Sequence, residues 1–332
     1  MEGKIRGEVK NKRTKLVDVV PLSQPYVIMV DPCDACNFKC NFCPTNISKE
    51  NLSLRHKHMP YDMFVKIVDD MKEFPEKIKA VDLYGFGEPL LHKDLPRMIK
   101  YLKESNVCEK IRIATNGALL NKKLSESLVD SGLDYMKISI EALNAADYKE
   151  ICGANIIWEE YVENIRYLFE VSRGKMEIGA KIVSAAFKKE HDEEYFLNTF
   201  SPISDYTFVE NLKNVWAGFD EIQLSGEDTG EDYYTQHVTG YSICSYPITH
   251  MVIHSNGDIC SCCFDWKHEI SYANVNELSL KEAWNSEKLL QFRLSHLNKK
   301  QEFIPFCNKC EAKGYDNIDN DAQTMIRKYL GK

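Results

Sequence analysis

Short apolar runs alternate with longer amphipathic stretches over the first two thirds of the chain. Six β-branched or apolar runs predict strands at residues 26–30, 80–84, 111–114, 135–140, 176–183 and 206–209. Between them, apolar residues recur at spacings of three and four, as in Phe64, Ile67, Val68 and Met71, which is typical of helices with one buried face. Such alternation predicts parallel strands joined by right-handed crossovers.

We therefore expect an α/β fold. Six strand–helix units are too few for the eight of a closed barrel, so the expected architecture is a partial (β/α)6 barrel followed by a small β-hairpin-plus-helix domain. The expected organisation is an N-terminal extension at 1–24, the partial barrel at 25–213, a connector rich in Gly, Asp and Glu at 214–240, and the small domain at 241–332. In that domain, residues 251–259 have the pattern strand, Asn-Gly turn, strand, and a helix is expected around 280–297.

Composition and charge exclude several classes of function. With 42 basic and 50 acidic residues the net charge is −8, which disfavours non-specific nucleic-acid binding. No apolar run approaches the roughly 20 residues of a membrane span, and the N-terminus lacks the apolar segment of a secretory signal. We expect a cytoplasmic protein with neither a nucleic acid nor a membrane as partner.

Cysteine is the informative residue type. The chain has 12, and in a reducing cytosol such a number indicates metal ligands or catalytic groups rather than disulfides. All but two are grouped: Cys33, Cys36, Cys40 and Cys43; Cys244, Cys260, Cys262 and Cys263; Cys307 and Cys310. The isolated Cys108 and Cys152 are interpreted as small buried hydrophobic residues.

The first group has the spacing Cys36-x3-Cys40-x2-Cys43 and follows directly on the first predicted strand. Three thiolates at the end of a strand can bind three irons of a [4Fe–4S] cluster and leave the fourth iron open. A structural zinc site with Cys33 as a fourth ligand is the alternative.

This spacing, with Phe42 before the last cysteine, resembles the signature of the radical S-adenosylmethionine (SAM) superfamily. Further motifs follow in the family's order, each at the end of a predicted strand. Residues 85–89 (GFGEP) resemble the GGEP motif, with Phe86 replacing one position of the glycine run, residues 115–117 resemble the TNG turn, and residues 139–141 resemble the ribose-contacting segment. The resemblance implies that SAM is bound by Phe42, Gly85, Gly87, Glu88, Pro89, Asn116, Ser139 and Glu141, with Glu88 and neighbouring carbonyls receiving the methionine amino group.

The resemblance also implies the chemistry. A [4Fe–4S] cluster on Cys36, Cys40 and Cys43 would chelate SAM through its open iron. One electron, from a flavodoxin or ferredoxin-type donor, would cleave the carbon–sulfur bond and give a 5′-deoxyadenosyl radical that abstracts a substrate hydrogen. The protein would supply positioning and exclusion of water.

The late cysteines resemble the auxiliary-cluster domains called SPASM and twitch. Cys244-x12-Gly257-x4-Cys262 matches their opening and Cys307-x2-Cys310 follows, but no cysteine lies beyond Cys310. The resemblance therefore implies one auxiliary [4Fe–4S] cluster on Cys244, Cys262, Cys307 and Cys310, and so two clusters in the chain. Zinc remains the alternative, and Cys260 or Cys263 competes with Cys262; strand alternation places Cys260 and Cys262 on one face.

This arrangement resembles the twitch-domain aminocyclitol and sugar dehydrogenases, which implies oxidation of a small polyhydroxylated substrate with electron transfer to the auxiliary cluster. Radical epimerisation with a thiol as hydrogen donor, maturation of a ribosomally made peptide, and a non-catalytic metal-binding scaffold are the alternatives. Lys181, Glu210 and Asp265 are the candidate catalytic residues, because they lie where the barrel mouth and the small domain are expected to meet; His254 lies there too.

Overall fold

The computed structural model describes residues 4–5, 14–44, 58–210, 242–300, 304–308, 310 and 317–332. In these ranges the strands are β1 (Lys4–Ile5), β2 (Val27–Val30), β3 (Ala80–Asp82), β4 (Ile111–Thr115), β5 (Tyr135–Ser139), β6 (Glu177–Val183), β7 (Tyr206–Glu210), β8 (His250–Ile253), β9 (Asp258–Cys260) and β10 (Ala273–Asn274). They form one sheet in the order β1-β7-β6-β5-β4-β3-β2-β8-β9-β10. The expected connector at 214–240 lies outside the described residues.

The parallel part of the sheet runs from β1 to β8, and β9 and β10 are antiparallel. All six predicted strands are present as β2 to β7, and the α/β fold is confirmed. The C-terminal hairpin, β8 and β9, does not form a sheet of its own. Because β8 pairs with β2 in parallel, the hairpin continues the barrel sheet, a long-range pairing that the local sequence pattern does not reveal.

Helices cover the outside of the sheet and the C-terminal end of the chain. The longer ones are Tyr61–Met71, Leu95–Ser105, Lys122–Asp130, Ala145–Cys152, Trp158–Ser172, Asp192–Phe200, Glu287–Leu297 and Ala322–Tyr329. The single helix expected around 280–297 is wrong, since Leu280–Trp284 and Glu287–Leu297 are separate helices. The Ser286 hydroxyl accepts a hydrogen bond from the Leu289 amide at 3.3 Å and so starts a new helix.

The two faces of the strands have different environments. In β4, Ile111 and Ile113 are buried, whereas Arg112 and Ala114 are half-buried. The first pair packs in the core, and the second pair, together with Ile113, lines a cavity on the inner side of the sheet. The fold therefore provides a partly polar lumen beside an apolar core. No helix in the described ranges is both long enough and apolar enough to cross a bilayer.

Candidate active site

The loop carrying the first three cysteines follows β2 and is fixed by the end of a helix. The Lys39 and Asn41 amides donate to the carbonyls of Cys152 and Ile151 at 2.7 and 2.9 Å. These carbonyls belong to the last turn of Ala145–Cys152, where they lack partners within the helix. The loop is thus held by the main chain, independently of any ligand on its thiols.

Cys36, Cys40 and Cys43 are all half-buried on this loop. Burial raises the pKa of the Cys36 thiol to about 12. A hydrogen bond with Cys152, together with burial, raises the pKa of the Cys40 thiol well above its usual range. Both thiols are therefore neutral until a metal binds and displaces their protons. Three such thiols on one loop fit a [4Fe–4S] cluster with one open iron.

Two further cysteines lie near this loop, and they differ in their contacts. Cys152 is buried in the apolar core, as the sequence predicts, and its thiol also contacts Cys40, which its sequence spacing does not indicate. Cys33 is buried, and its thiol donates to the Ala35 carbonyl at 3.5 Å and lies 3.8 Å from His58 Nε2.

The GFGEP segment packs against the cysteine loop so closely that glycine is required. A Cβ at Gly85 would lie 2.6 Å from Cγ of Asp31, and a Cβ at Gly87 would lie 2.1 Å from the Cys33 carbonyl oxygen. Asp31, directly after β2, also accepts a bond from the Phe86 amide at 3.5 Å. Burial and the neighbouring Asp34 raise the pKa of Asp31 to about 8. Asp31 was not singled out from the sequence, although its place at a strand end was a signal.

Glu88 joins two of the predicted motifs. Its carboxylate accepts hydrogen bonds from the Leu90 amide at 2.9 Å, the Thr115 hydroxyl at 2.6 Å and the Asn116 amide at 2.8 Å. Burial raises its pKa to about 7, although these bonds act in the opposite direction. A carboxylate offers about four acceptor positions, so little of this one is left for a methionine ammonium. The first role of Glu88 is to hold the TNG turn.

The remaining motif residues lie along the same edge of the sheet. The Asn116 side chain donates to Asn37 Oδ1 at 2.8 Å and approaches Cys36 Sγ at 4.0 Å. Ser139 ends β5, and Glu141 just beyond it is buried, with its Oε2 lacking a hydrogen-bond partner in the described part of the chain. Pro89 is buried at the start of a short 3-10 turn, and Phe42 is half-buried against the core. The motifs thus meet at the carboxyl ends of parallel strands, where α/β sheets bind ligands.

The lumen of the sheet forms a cavity with about 680 Å³ free of protein atoms, open solvent at its mouth included, and it reaches the amino ends of β4, β5 and β6 at Lys110, Tyr135 and Glu177. Its lining includes Tyr84, Arg112, Tyr135, Lys137, Phe208 and Glu210. Arg112 forms two hydrogen bonds with Asp82, and Lys181 Nζ lies 3.9 Å from Glu210 Oε2 in a buried ion pair. Asp265 does not line this cavity.

The C-terminal unit brings its predicted cysteines to a second pocket. Cys244, Cys262, Cys307 and Cys310 all line it, and Cys260 and Cys263 do not. Cys260 packs instead with Met29 and Val252. The expectation that Cys260 and Cys262 share a face is wrong, because β9 ends at Cys260 and its alternation does not extend to Cys262. Four thiols around one pocket fit a fully ligated [4Fe–4S] cluster.

A third group, formed by His254, Cys260 and Asp265, is buried between the two sites. One ligand atom from each lies within 4.8 Å of the others. Cys260 Sγ lies 3.3 Å from His254 Nε2, and the Asp265 carboxylate accepts bonds from the Glu269 and Ile270 amides at 2.9 and 3.0 Å. These bonds account for the arrangement without an ion. Burial raises the pKa of Asp265 to about 6.

The chain has similarity to known proteins along most of its length. It is 24% identical over 321 residues to the tungsten-containing aldehyde ferredoxin oxidoreductase cofactor-modifying protein of Pyrococcus furiosus, covering 84% of this chain and 85% of that protein. It is 25% identical over 297 residues to the GTP 3′,8-cyclase of Limosilactobacillus fermentum, covering 80% and 85%. The crystal structure of BtrN in complex with AdoMet and 2-DOIA shares the fold, with a TM-score of 0.55, 17% identity and coverage of 86% and 93%.

Two family models match two separate parts of the chain. The iron–sulfur cluster-binding domain SPASM matches residues 244–311, which contain the second group of cysteines. The radical SAM and SPASM domains together imply that the cofactors are SAM and two iron–sulfur clusters. The radical SAM model matches residues 30–200, more than half of the chain, and the chain belongs to the radical SAM superfamily.

Proposed function

We propose that this enzyme dehydrogenates a small polyhydroxylated molecule, such as a sugar or cyclitol, and passes the leftover electron to an auxiliary [4Fe–4S] cluster. The observation that carries the proposal is the pocket on which Cys244, Cys262, Cys307 and Cys310 converge. Four cysteine ligands leave no iron free to bind substrate. A cluster held in this way serves as an electron carrier, which is what a two-electron oxidation by a radical enzyme needs.

At the other site, Cys36, Cys40 and Cys43 are proposed to hold the cluster that binds SAM. The cofactor supplies a 5′-deoxyadenosyl radical when a flavodoxin or ferredoxin-type donor provides an electron. Gly85, Gly87 and Asn116 shape the pocket for SAM, with Phe42, Glu88, Pro89, Ser139 and Glu141 around it. The strand-end placement of these residues supports this assignment.

The lumen supplies the acid–base group. Once a carbinol carbon has lost a hydrogen atom, its hydroxyl must lose a proton. Glu210 is buried, lines the cavity and is paired with Lys181 at 3.9 Å, and we assign it as the base. Asp265 is not assigned this role, because its carboxylate is bound by backbone amides. We propose the domain limits 25–213 for the barrel and 241–332 for the auxiliary unit, with β1, which pairs with β7, as an addition to the barrel sheet from the N-terminal extension.

A second candidate is the rearrangement of a phosphate-bearing nucleotide. Lys110, Arg112 and Lys137 line the lumen cavity together with Glu177 and Glu210. Arg112 is paired with Asp82 and Lys110 with Glu177, so a phosphate would have to compete with these carboxylates for the two cations. The names of the two sequence relatives, a GTP cyclase and a cofactor-modifying protein, are compatible with this alternative.

The test is deuterium transfer. Reconstituted, reduced enzyme is incubated with SAM and with polyols deuterated at each carbinol carbon, or with deuterated GTP. We expect deuterium in 5′-deoxyadenosine from a polyol, a ketone as product, and one SAM consumed per turnover. Transfer from GTP alone would support the second candidate. If the product formed in heavy water carries deuterium at the former carbinol carbon, the reaction is an epimerisation and not a dehydrogenation.

A further inference from the structure

Phe86 is the one position at which the GFGEP segment departs from the family's glycine run. Its neighbours Gly85 and Gly87 have no room for a Cβ, since both face the cysteine loop at less than 3 Å. The Phe86 side chain points elsewhere and lies in the aromatic cluster of the C-terminal unit. A large residue at this position is therefore compatible with the pocket for SAM, and its contacts are with the other cofactor site.

The surroundings of the Phe86 ring belong to the auxiliary unit. Its centroid lies 5.7 Å from that of His254, nearly parallel at 29°, and 6.0 Å from that of His268. His254 and His268 are themselves stacked at 3.7 Å. The ring also packs in the cluster built on Trp266 and Phe306, against which Cys262, Cys307 and Cys310 pack as well.

Trp266 and Phe306 are tied to the cluster ligands by the chain. Phe306 directly precedes Cys307, and Trp266 follows Cys262 by four residues. A metal cluster that fixes these cysteines also fixes the two aromatic residues, because the binding free energy of a metal in a small unit is largely folding free energy. Loss of the cluster would release the side of the wall formed by Trp266 and Phe306, whereas His254 stays in place next to β8, which pairs with β2.

We propose that Phe86 is a positioning residue that couples the two cofactor sites, so that an intact auxiliary cluster strengthens the binding of SAM and bound SAM orders the auxiliary unit. The proposal rests on the cysteine assignments of the proposed function. Such coupling is reciprocal by thermodynamic necessity, and typical values are about 5- to 150-fold in affinity. Phe86→Gly, which restores the family's glycine, removes the contact and leaves the backbone of the loop able to adopt its conformation.

The first experiment is a double-mutant cycle on reconstituted protein. The dissociation constant of SAM is measured by equilibrium dialysis for wild type, Cys307→Ala/Cys310→Ala, Phe86→Gly and the combined variant. We expect removal of the auxiliary cluster to weaken binding about tenfold when Phe86 is present and less than about twofold in the Phe86→Gly background. Additive effects would overturn the coupling. Phe169→Leu, at a half-buried Phe of the main core, is the matched control and should leave the tenfold effect intact.

Iron analysis of the same samples separates this proposal from the proposed function. If the cysteine pair variant keeps about eight irons, the ligand assignment is wrong, whereas about four irons with additive affinities rejects only the coupling.

A second measurement needs no cysteine substitution, and so remains available if the pair variant does not fold. Amide hydrogen exchange is followed by mass spectrometry with and without SAM. We expect SAM to slow exchange in residues 262–270 of the wild type but not of Phe86→Gly, while exchange in residues 85–91 slows in both. Equal protection of 262–270 in the two proteins, or none in the wild type, would reject the coupling.

Discussion

The two halves of the molecule hold cofactor ligands by different means. In the barrel, motif residues stand at the ends of parallel strands and are joined by hydrogen bonds, such as the three that Glu88 accepts. In the C-terminal unit, the cysteines lie on loops and on the one-turn helix Pro305–Asn308, packed against a small aromatic cluster of Trp266 and Phe306. The barrel motifs are joined to one another by hydrogen bonds within the protein, whereas we expect the cysteine loops of the auxiliary unit to depend on their cluster for order.

The size of the apolar core underlies this difference. The barrel strands and their helices share one continuous core that extends from Ile28 to Leu289, and the C-terminal unit contributes Met251, Ile259 and Trp284 to it. The cluster directly around the auxiliary cysteines has two buried apolar residues among those described, Trp266 and Phe306. Small cores stabilise little by themselves and require staples such as metals. Substituting ligands should therefore remove chemistry in the barrel, and both chemistry and structure in the auxiliary unit.

The largest effect is expected from Cys36→Ala/Cys40→Ala/Cys43→Ala. The variant should keep about four irons and form no 5′-deoxyadenosine, because no cluster with an open iron remains. Its thermal midpoint should stay close to that of the wild type, since the loop is held by Lys39 and Asn41 amides. Iron analysis, chromatography of 5′-deoxyadenosine and calorimetry measure the three quantities. Continued cleavage of SAM would show that the radical site lies elsewhere.

Cys307→Ala/Cys310→Ala tests whether the auxiliary unit needs its cluster for both chemistry and structure. About four irons should remain, SAM should still be cleaved, and oxidised product should fall to the background because the electron acceptor is missing. Limited proteolysis should show new cleavage at 262–270 and 304–310, with the barrel intact. A variant that resists proteolysis like the wild type would show that the unit does not need its cluster to fold.

Matched single variants sharpen the ligand assignment within that unit. Cys260→Ser and Cys263→Ser should retain about eight irons, since neither thiol lines the auxiliary pocket, whereas Cys262→Ser should lose the auxiliary cluster. Iron analysis and electron paramagnetic resonance of the reduced samples make the comparison. Loss of iron in Cys260→Ser or Cys263→Ser, with retention in Cys262→Ser, would reverse the assignment.

The difference between local patterns and long-range contacts explains which features the sequence could predict. Strand and helix periodicity predicted β2 to β7 within a few residues, because core packing imposes that periodicity. The cysteine spacings predicted which four late thiols share a pocket. By contrast, the parallel pairing of β8 with β2, the contact of Cys152 with Cys40 and the enclosure of Phe86 are long-range contacts. No local pattern encodes such contacts. The start of a new helix after Ser286 was also not predicted, because apolar residues recur at helical spacing on both sides of it.

Glu88→Gln should weaken the binding of SAM by about tenfold. An amide has a donor in place of one carboxylate oxygen, so one of the bonds from Thr115 or Asn116 is lost and the TNG turn shifts. Thr115→Val removes one of these bonds without touching Glu88 and should give an effect of similar direction. Equilibrium dialysis provides the values. If Thr115→Val leaves the affinity unchanged while Glu88→Gln lowers it, Glu88 acts on the ammonium directly.

The remaining effect leaves the chemistry unchanged and concerns the pH dependence of barrel stability. Burial raises the pKa of Asp31 to about 8, far above its ordinary value of 3.8. Between these values the folded state holds a proton on Asp31 that the unfolded state has lost, so the free energy of unfolding falls as pH rises. The slope from one such group is at most about 1.4 kcal/mol per pH unit.

Asp31→Asn should flatten this slope between pH 5 and pH 8, because the amide keeps the shape of the side chain and does not titrate. Because the slope accumulates over three pH units, the variant should have the higher thermal midpoint at pH 8 and differ little from the wild type at pH 5. Asp130→Asn, at an exposed carboxylate, is the control and should retain the wild-type slope. Since Asp31 contacts the backbone of the GFGEP loop, an unchanged slope in Asp31→Asn would mean that this carboxylate is already charged in the folded protein between pH 5 and pH 8, next to the predicted SAM pocket.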